Sequence, residues 1–217
     1  MFEKYYNEIA NIEGWFAKED AKLLFETINK LKGSASMVEI GSWCGKSLIF
    51  SALAAINNGN NCKKYSIDPF TTSKDEPNGK YETFIENLKK YDLSDKIVHI
   101  KEKSNDIGEK FNDNIEFLFI DGFHVYEYVK KDFELFSKRV IENGYILIHD
   151  VASWFGPTQL VYDIAETSDN MKILDFAGQT VLMAKVNNLS AEDKARNRDF
   201  SNIIKNKIET YNIKLTK

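Results

Sequence analysis

Short apolar segments alternate with longer segments of helical periodicity along most of this chain, and that alternation limits the folds it can adopt. Segments with the length and apolar content of buried strands lie at residues 37–40, 64–68, 97–100, 115–120 and 145–149. Each is followed by apolar residues three and four positions apart, as in a helix that packs on a sheet. Because strand–helix–strand units of this length build parallel sheets, we predict a doubly wound α/β fold.

Two more strands are predicted near the end of the chain, at residues 171–176 and 180–186, with a hairpin turn at 177–179. An antiparallel pair added to five parallel strands gives a seven-stranded, mostly parallel, Rossmann-like sheet with helices on both faces. Ligands of such sheets gather at the carboxyl ends of the strands. Acidic residues stand at or just after the ends of three predicted strands: Asp68, Asp121 and Asp150.

We expect one domain, because 217 residues suffice for a single sizeable core. Residues 36–188 are predicted to form the sheet and its helices, between an N-terminal helical cap at 1–35 and a C-terminal helical extension at 189–217. Aromatic and aliphatic residues repeat at helical spacing between Phe2 and Phe16. This stripe predicts a helix that covers the core, and it is also compatible with a substrate lid or a homodimer contact.

The composition favours a small-molecule partner. Lysine and arginine total 29 against 33 acidic residues, and the net charge of −4 comes without a basic stripe, so nucleic acid is not expected as a partner. No apolar run is long enough to span a membrane and the first residues do not resemble a signal sequence, which predicts a cytoplasmic protein without a membrane partner. Cys44 and Cys62 lack metal-binding spacing and are predicted to be packing residues.

The first predicted strand runs into Gly41-Ser42-Trp43-Cys44-Gly45-Lys46-Ser47, a glycine-containing loop that leads into a helix. Such a turn presents unpaired backbone N–H groups to a nucleotide. A phosphate-binding P-loop needs a glycine at position 40, where this chain has isoleucine, and a dinucleotide fingerprint needs a glycine in place of Trp43. An ATP-binding protein with a magnesium-binding acid at Asp121 is therefore the second interpretation.

S-adenosylmethionine fits the loop better, because it has no phosphate to cradle and the bulk of Trp43 is then acceptable. Its polar groups match acids near two strand ends. Glu39, near the end of the first strand, can face the amino-acid part of the cofactor. Asp68, after the second strand, can accept hydrogen bonds from both ribose hydroxyls.

From Gly14 to Val186 the chain resembles the class I S-adenosylmethionine-dependent methyltransferases, and within them the small O-methyltransferases similar to catechol O-methyltransferase and the macrocin O-methyltransferase group. Residues 39–47 resemble the first motif of the family, Asp68 the ribose-binding acid, and Ser104-Asn105-Asp106 the adenine-side motif. Residues 120–126 and 144–150 resemble the two catalytic segments. The resemblance implies cofactor contacts from Glu39, Gly41, Ser42, Trp43, Gly45, Ser47, Asp68, Ser104, Asn105 and Asp121.

Asp121 and Asp150 end neighbouring predicted strands, so their carboxylates can converge, with His149 beside them. Oxygen ligands in a loose cluster suit Mg²⁺ and leave a position for a substrate hydroxyl. In the family that the chain resembles, metal-dependent members have acids at these two positions and a third ligand directly beside the second. Here the neighbours are Val151, which cannot bind a metal, and His149, which favours later divalent cations such as Mn²⁺. We predict a divalent-cation site at Asp121, His149 and Asp150, or a substrate-positioning cluster if no metal binds.

His124 is the predicted general base and, with Asp121, the predicted catalytic pair. It stands three residues after Asp121, where the resemblance places the base, and an imidazole can take the proton of a hydroxyl near neutral pH. The alternative is a histidine that caps a helix or faces solvent, and His99, inside the third strand, is predicted to be structural.

The predicted reaction transfers a methyl group to a hydroxyl of a sugar, a natural product or a catechol-like compound. A domain that binds the cofactor without catalysis is a further alternative.

Overall fold

The structure is a computed structural model that describes residues 1–71 and 80–211. Its strands are β1 Ser36–Ile40, β2 Lys64–Ile67, β3 Ile97–Ile100, β4 Ile115–Ile120, β5 Val140–Ile148, β6 Met171–Ala177 and β7 Thr180–Lys185. Within the described residues these seven strands form one sheet in the order β3-β2-β1-β4-β5-β7-β6. The first five run parallel, while β7 pairs antiparallel with β5 and β6. The predicted seven-stranded, mostly parallel sheet with a closing hairpin is confirmed.

Helices join the strands and cover both faces of the sheet. They are α1 Phe2–Glu8, α2 Lys18–Ile28, α3 Lys46–Asn57, α4 Tyr81–Lys90, α5 Ser104–Gly108, α6 Tyr126–Phe136, α7 Phe155–Thr167 and α8 Ala191–Tyr211. The predicted C-terminal extension corresponds to α8 as far as residue 211, and residues 212–217 lie outside the described residues. No helix in the described part of the chain is both long and apolar enough to cross a membrane.

The side chains of β4 show how one strand serves two cores. Phe117 and Phe119 pack on one face of the sheet with residues of α1 to α4. Leu118 and Ile120 pack on the other face with residues of α5 to α8. Because successive side chains of a strand point to opposite faces, a strand covered on both sides must be apolar throughout, as β4 is at these positions.

The aromatic N-terminal stripe packs inside the chain. Tyr5, Ile9 and Phe16 are buried in the core that faces α3 and α4, in agreement with a covering role. The stripe does not form one helix, because α1 ends before a turn at Gly14, whose φ is +144°. Trp15 beside this turn is 83% exposed. The lid and homodimer interpretations of the segment stay predictions.

The fifth strand begins five residues earlier than the apolar pattern predicts, at Val140. Val140 already pairs with Ile115, and the register then shifts before Tyr145 pairs with Phe117. Asn143, between the two pairings, has φ +62°. The first half of the strand contains polar residues and this irregularity, which interrupts the regular side-chain pattern of a strand. The first half was therefore not predicted from the apolar runs.

Candidate active site

A cavity of about 620 Å³ opens beside the carboxyl ends of β1, β2, β4 and β5. Doubly wound sheets bind ligands at this edge, and the volume is typical of a small-molecule site. Most residues predicted to bind cofactor, metal or substrate line it: Gly41, Ser42, Trp43, Ser47, Asp68, Ser104, Asn105, Asp121, His124, His149 and Asp150. Glu39 and Gly45 are not among the lining residues.

Asp68 is oriented by the loop that follows β1. Its two carboxylate oxygens accept hydrogen bonds from the backbone N–H groups of Trp43, at 2.9 Å, and Phe70, at 2.6 Å. Burial raises the pKa of Asp68, and these backbone hydrogen bonds oppose that rise. Each oxygen keeps further acceptor capacity, because a carboxylate offers about four lone pairs. Asp68 can therefore accept hydrogen bonds from a ligand in the cavity, and its contact with the ribose hydroxyls stays a prediction.

Glu39 lies buried behind the same loop, where it accepts a hydrogen bond from the hydroxyl of Ser47 at 3.2 Å. Burial and the nearby charge of Asp121 raise the pKa of Glu39 to about 8. Ser47 is on the cavity wall and Glu39 is not. Its predicted contact with the amino-acid part of the cofactor stays a prediction.

Replacing Glu39 by glutamine is expected to stabilise the ligand-free protein on the order of 3 kcal/mol at about pH 8 and to have little effect at about pH 5. The folded protein keeps the proton of Glu39 up to about pH 8, whereas the unfolded chain releases it near pH 4.5. The stability of the wild-type protein therefore falls as the pH rises through this window, and glutamine removes that dependence. Urea unfolding at both pH values measures it, with Glu86→Gln on the exposed side of α4 as control. Equal stability of wild type and Glu39→Gln at about pH 8 would contradict the expectation.

His124 and the two acids Asp121 and Asp150 form a cluster at the cavity wall. Their potential ligand atoms all lie within 4.8 Å of one another. His124 Nε2 is 2.7 Å from Asp150 Oδ2, and the His124 ring stacks on Trp154 with centroids 4.7 Å apart and planes 17° apart. Burial alone would raise the pKa of Asp150, but hydrogen bonds from His124 and His149 lower it, so the acid is ionised.

His149 is buried behind that cluster with carboxylates on both sides of its ring. Nδ1 is 3.0 Å from Asp121 Oδ1 and 3.5 Å from Asp150 Oδ2, while Nε2 is 3.9 Å from Asp20 Oδ2. Burial alone would lower the pKa of His149, but these acids raise it far above its usual range. A ring protonated on both nitrogens offers no lone pair to a cation. The divalent-cation site was predicted at Asp121, His149 and Asp150, whereas the potential ligand atoms that lie together belong to Asp121, His124 and Asp150.

Asp20 on α2 is a buried acid beside the candidate site that the sequence reasoning missed. It is 1% exposed, and its Oδ1 accepts hydrogen bonds from the Gln179 backbone N–H at 2.8 Å and the Thr180 hydroxyl at 2.7 Å. Through its other oxygen it faces His149. Asp20 thus connects α2, the β6–β7 hairpin and His149 beside the cluster. A single acid on an amphipathic helix gives no sequence signal for these contacts.

The turn at residues 13–16 forms another part of the cavity wall that the sequence reasoning did not assign. The ammonium group of Lys46 donates a hydrogen bond to the Gly14 carbonyl at 3.1 Å, and Glu13 forms an ion pair with Lys80 at 2.9 Å. These contacts fasten the turn to the start of α3 and to the residue before α4. The signal in the sequence that pointed to this turn was the family resemblance, which begins at Gly14.

Comparisons with known proteins agree with this geometry. A family model described as "Methyltransferase domain" matches residues 38–151, which are 114 of the 217 residues. "Uncharacterized protein R132" of Acanthamoeba polyphaga mimivirus is 29% identical over 154 residues, which cover 69% of this chain and 60% of that protein. The chain thus spans about 60% of the length of this curated relative.

Solved structures of O-methyltransferases share the fold. The O-methyltransferase NovP superposes with a TM-score of 0.62 at 15% identity, covering 76% of this chain and 78% of its own. TomG from Streptomyces achromogenes, an O-methyltransferase involved in tomaymycin synthesis and solved with S-adenosylmethionine, gives 0.60 at 14% identity over 85% and 87%. CalS11, a TDP-rhamnose 3'-O-methyltransferase, gives 0.54 at 14% identity over 75% and 76%.

The family match covers the strands and loops that build the cavity, from β1 to the residue after Asp150. The strand order and the closing hairpin are those of the methyltransferase fold. The chain belongs to the methyltransferase domain family.

Proposed function

We propose that this protein transfers the methyl group of S-adenosylmethionine to a hydroxyl group of a small molecule, with His124 as the general base. The observation that carries the proposal is the pairing of His124 Nε2 with the ionised Asp150 at 2.7 Å, on the wall of the cavity that also contains Asp68. Asp150 accepts a hydrogen bond from the Nε2–H group and so fixes the tautomer. Nδ1, which makes no hydrogen bond to any described residue, then holds the lone pair that takes the hydroxyl proton.

Neighbouring side chains keep this base in place. The indole of Trp154 stacks on the imidazole and limits rotation of its ring. His149 stands behind Asp121 and Asp150 and neutralises part of their charge. When bound, S-adenosylmethionine supplies a methyl group on a positively charged sulfur. Asp68 and the loop after β1 hold its ribose, so that the protein's main contribution is to align the hydroxyl oxygen with that methyl group.

A divalent cation held by Asp121, His124 and Asp150 is the second candidate arrangement, supported by the 4.8 Å spacing of their ligand atoms. Two carboxylates and an imidazole suit Mn²⁺ better than Mg²⁺. The two arrangements exclude each other, because an imidazole bound to a metal has no lone pair left for a proton. Asp150 already accepts from His124 and His149, which favours the metal-free base.

Methyl transfer is tested with S-adenosylmethionine that carries a deuterated methyl group and a panel of hydroxyl acceptors. The names of CalS11 and TomG suggest nucleotide sugars and natural products with hydroxyl groups as the first acceptors, followed by simple glycosides and catechols. We expect S-adenosylhomocysteine and a mass-shifted O-methyl product with at least one class. Stabilisation against heat by ATP with Mg²⁺, and not by S-adenosylhomocysteine, would contradict the proposal. Binding of S-adenosylhomocysteine without product from any acceptor would favour a binding module.

Metal dependence is tested on the same reaction. With His124 as the base, dialysis against EDTA is expected to leave kcat within about 2-fold of its original value. Loss of activity that Mn²⁺ or Mg²⁺ restores would instead support the cation on Asp121, His124 and Asp150. Dialysis against buffer alone is the control for loss of protein during the procedure.

A further inference from the structure

Three carboxylates surround the buried imidazole of His149. On one side of the ring, Nδ1 lies 3.0 Å from Asp121 Oδ1 and 3.5 Å from Asp150 Oδ2. On the other side, Nε2 faces Asp20 Oδ2 at 3.9 Å and has no hydrogen-bond partner among the described residues. Ionised carboxylates only accept hydrogen bonds, so a lone pair on either ring nitrogen would face an acceptor. The arrangement therefore suits an imidazolium ion, with a hydrogen on both nitrogens.

Asp20 depends on His149 for a counter-charge. The carboxylate of Asp20 is 1% exposed, and its Oδ1 accepts hydrogen bonds from the backbone N–H of Gln179 and the hydroxyl of Thr180. Within the part of the chain that the structure describes, His149 is the one side chain that forms an ion pair with it. A buried carboxylate that has left water without a compensating charge is costly. Asp20 and His149 thus form a buried ion pair behind the cluster of Asp121, His124 and Asp150.

The hairpin between β6 and β7 leaves room for this ion pair. A Cβ atom built on Gly178 would lie 2.5 Å from Asp20 Oδ1, and the φ of Gly178 is +58°. A larger residue at the tip of the hairpin would collide with the carboxylate and would be strained in this conformation. Three parts of the chain, namely α2, the hairpin and the end of β5, are therefore shaped around Asp20 and His149.

A divalent cation between Asp121 and Asp150 conflicts with this arrangement. Asp121 Oδ1 is hydrogen-bonded to His149 Nδ1, and Asp150 Oδ2 pairs with both His149 and His124. A cation bound to the same oxygens would lie next to a positively charged ring. Two positive charges repel each other strongly in a buried site, where little water screens them. The charge of His149 must therefore be lost before a metal ion can bind there.

We propose that the ion pair of Asp20 and His149 takes the place of a divalent cation in this active site. Its ring supplies the positive charge between Asp121 and Asp150, and its carboxylate holds the ring. The inference rests on the proposed function, in which Asp150 orients the base. Asp20 and His149 are then positioning residues, which act on the reaction through the two acids of the cluster.

The competing explanation is structural, with the ion pair only fastening α2 and the hairpin to the sheet. In that case, replacing the pair changes the stability of the protein and leaves its affinity for metal ions as it was. If the pair replaces a cation, its removal leaves Asp121 and Asp150 without a counter-charge, which a divalent cation can then supply. The two explanations therefore differ in a gain of metal binding, which a loss of packing does not produce.

The experiment titrates MnCl₂ into the full chain without cofactor or acceptor and measures free Mn²⁺ by electron paramagnetic resonance. His149→Leu removes the positive charge and offers no ligand atom of its own. We expect this variant to bind Mn²⁺ at least about 10-fold more tightly than the wild type. Asp20→Asn/His149→Leu gives the same test if the single variant does not fold, because uncharged residues often replace a buried ion pair without loss of stability.

Two further variants control this measurement. His99→Leu removes an imidazole from the exposed edge strand β3 and should leave the affinity for Mn²⁺ unchanged. Adding Asp121→Asn to His149→Leu should abolish the gain, which would locate the new cation site at the cluster.

Mn²⁺ binding by the wild type that is as tight as binding by the variants without His149 would overturn the inference. A folded variant without His149 that shows no gain in affinity would overturn it as well. Because the titration involves no methyl transfer, its result is separate from the test of the proposed function. A gain of Mn²⁺ binding in a chain that methylates no acceptor would count against the proposed function and not against the role of His149 as counter-charge.

Discussion

Replacing His124 by alanine is expected to lower kcat by about 10²- to 10⁴-fold, while the affinity for S-adenosylhomocysteine stays within about 2-fold of the wild-type value. The imidazole is the group placed to take the hydroxyl proton, and without it the oxygen must attack while still protonated. Its pairing with Asp150 and its stacking on Trp154 hold the ring at the cavity wall. Steady-state kinetics with the best acceptor and calorimetry with S-adenosylhomocysteine measure the two quantities.

His99→Ala provides a matched control, because it removes the same side chain from the opposite part of the sheet. His99 is exposed on β3, an edge strand, and its ring contacts the Tyr81 hydroxyl at 3.0 Å. Its loss should leave kcat nearly unchanged. A similar small change in both variants would remove His124 from the mechanism. A large loss of kcat in His124→Ala together with EDTA sensitivity of the wild type would reassign His124 as a metal ligand.

The fold was predictable because its signals are local. A strand covered on both faces must be apolar throughout, and β4 carries Phe117 to Ile120 without a break. The edge of the sheet that holds the site was predictable as well, since the carboxyl ends of parallel strands meet and Asp68, Asp121 and Asp150 follow such ends. These inferences need only the order of residues along the chain.

The orientation of the two histidines in the cluster could not be predicted in this way. His149 turns toward Asp20, which lies far earlier in the sequence, and the acids around it keep its ring protonated. His124 is left beside Asp121 and Asp150. His149 also contacts the two acids, and its protonation depends in part on Asp20 of α2. An acid on an amphipathic helix looks in the sequence like any solvated residue.

Gly41, in the loop after β1, shows a different limit of prediction from sequence. Gly41 was predicted from its position in a nucleotide-binding turn, where a glycine lets the backbone approach a ligand. In the structure its φ is +88°, and a Cβ atom there would collide with the Asp121 carbonyl, whose carbon would be 2.5 Å away. The residue is therefore required by the close approach of two chain segments of the protein itself, which no local pattern reveals.

Gly41→Ala is accordingly expected to destabilise the protein by more than about 4 kcal/mol, the range of the most damaging single substitutions, and to lower Tm by more than about 10 °C. The added methyl group must displace either the loop after β1 or the end of β4, and both carry residues of the site. Gly59→Ala is the matched control, because Gly59 has a φ of +76° and a Cβ atom added to it would have no neighbour within 4 Å. It should lose only the roughly 1 kcal/mol that a positive φ costs an alanine.

The difference between the two variants isolates the collision with Asp121 from the backbone strain that they share. Thermal unfolding followed by circular dichroism measures both, and calorimetry with S-adenosylhomocysteine shows whether any folded Gly41→Ala protein keeps its cavity. Equal losses of stability would mean that β1 and β4 separate easily at their carboxyl ends. The geometry of Asp121, His124 and Asp150 would then depend on bound ligand. A much larger loss of stability in Gly41→Ala than in Gly59→Ala would mean that the packing of the chain fixes Asp121 before any ligand binds.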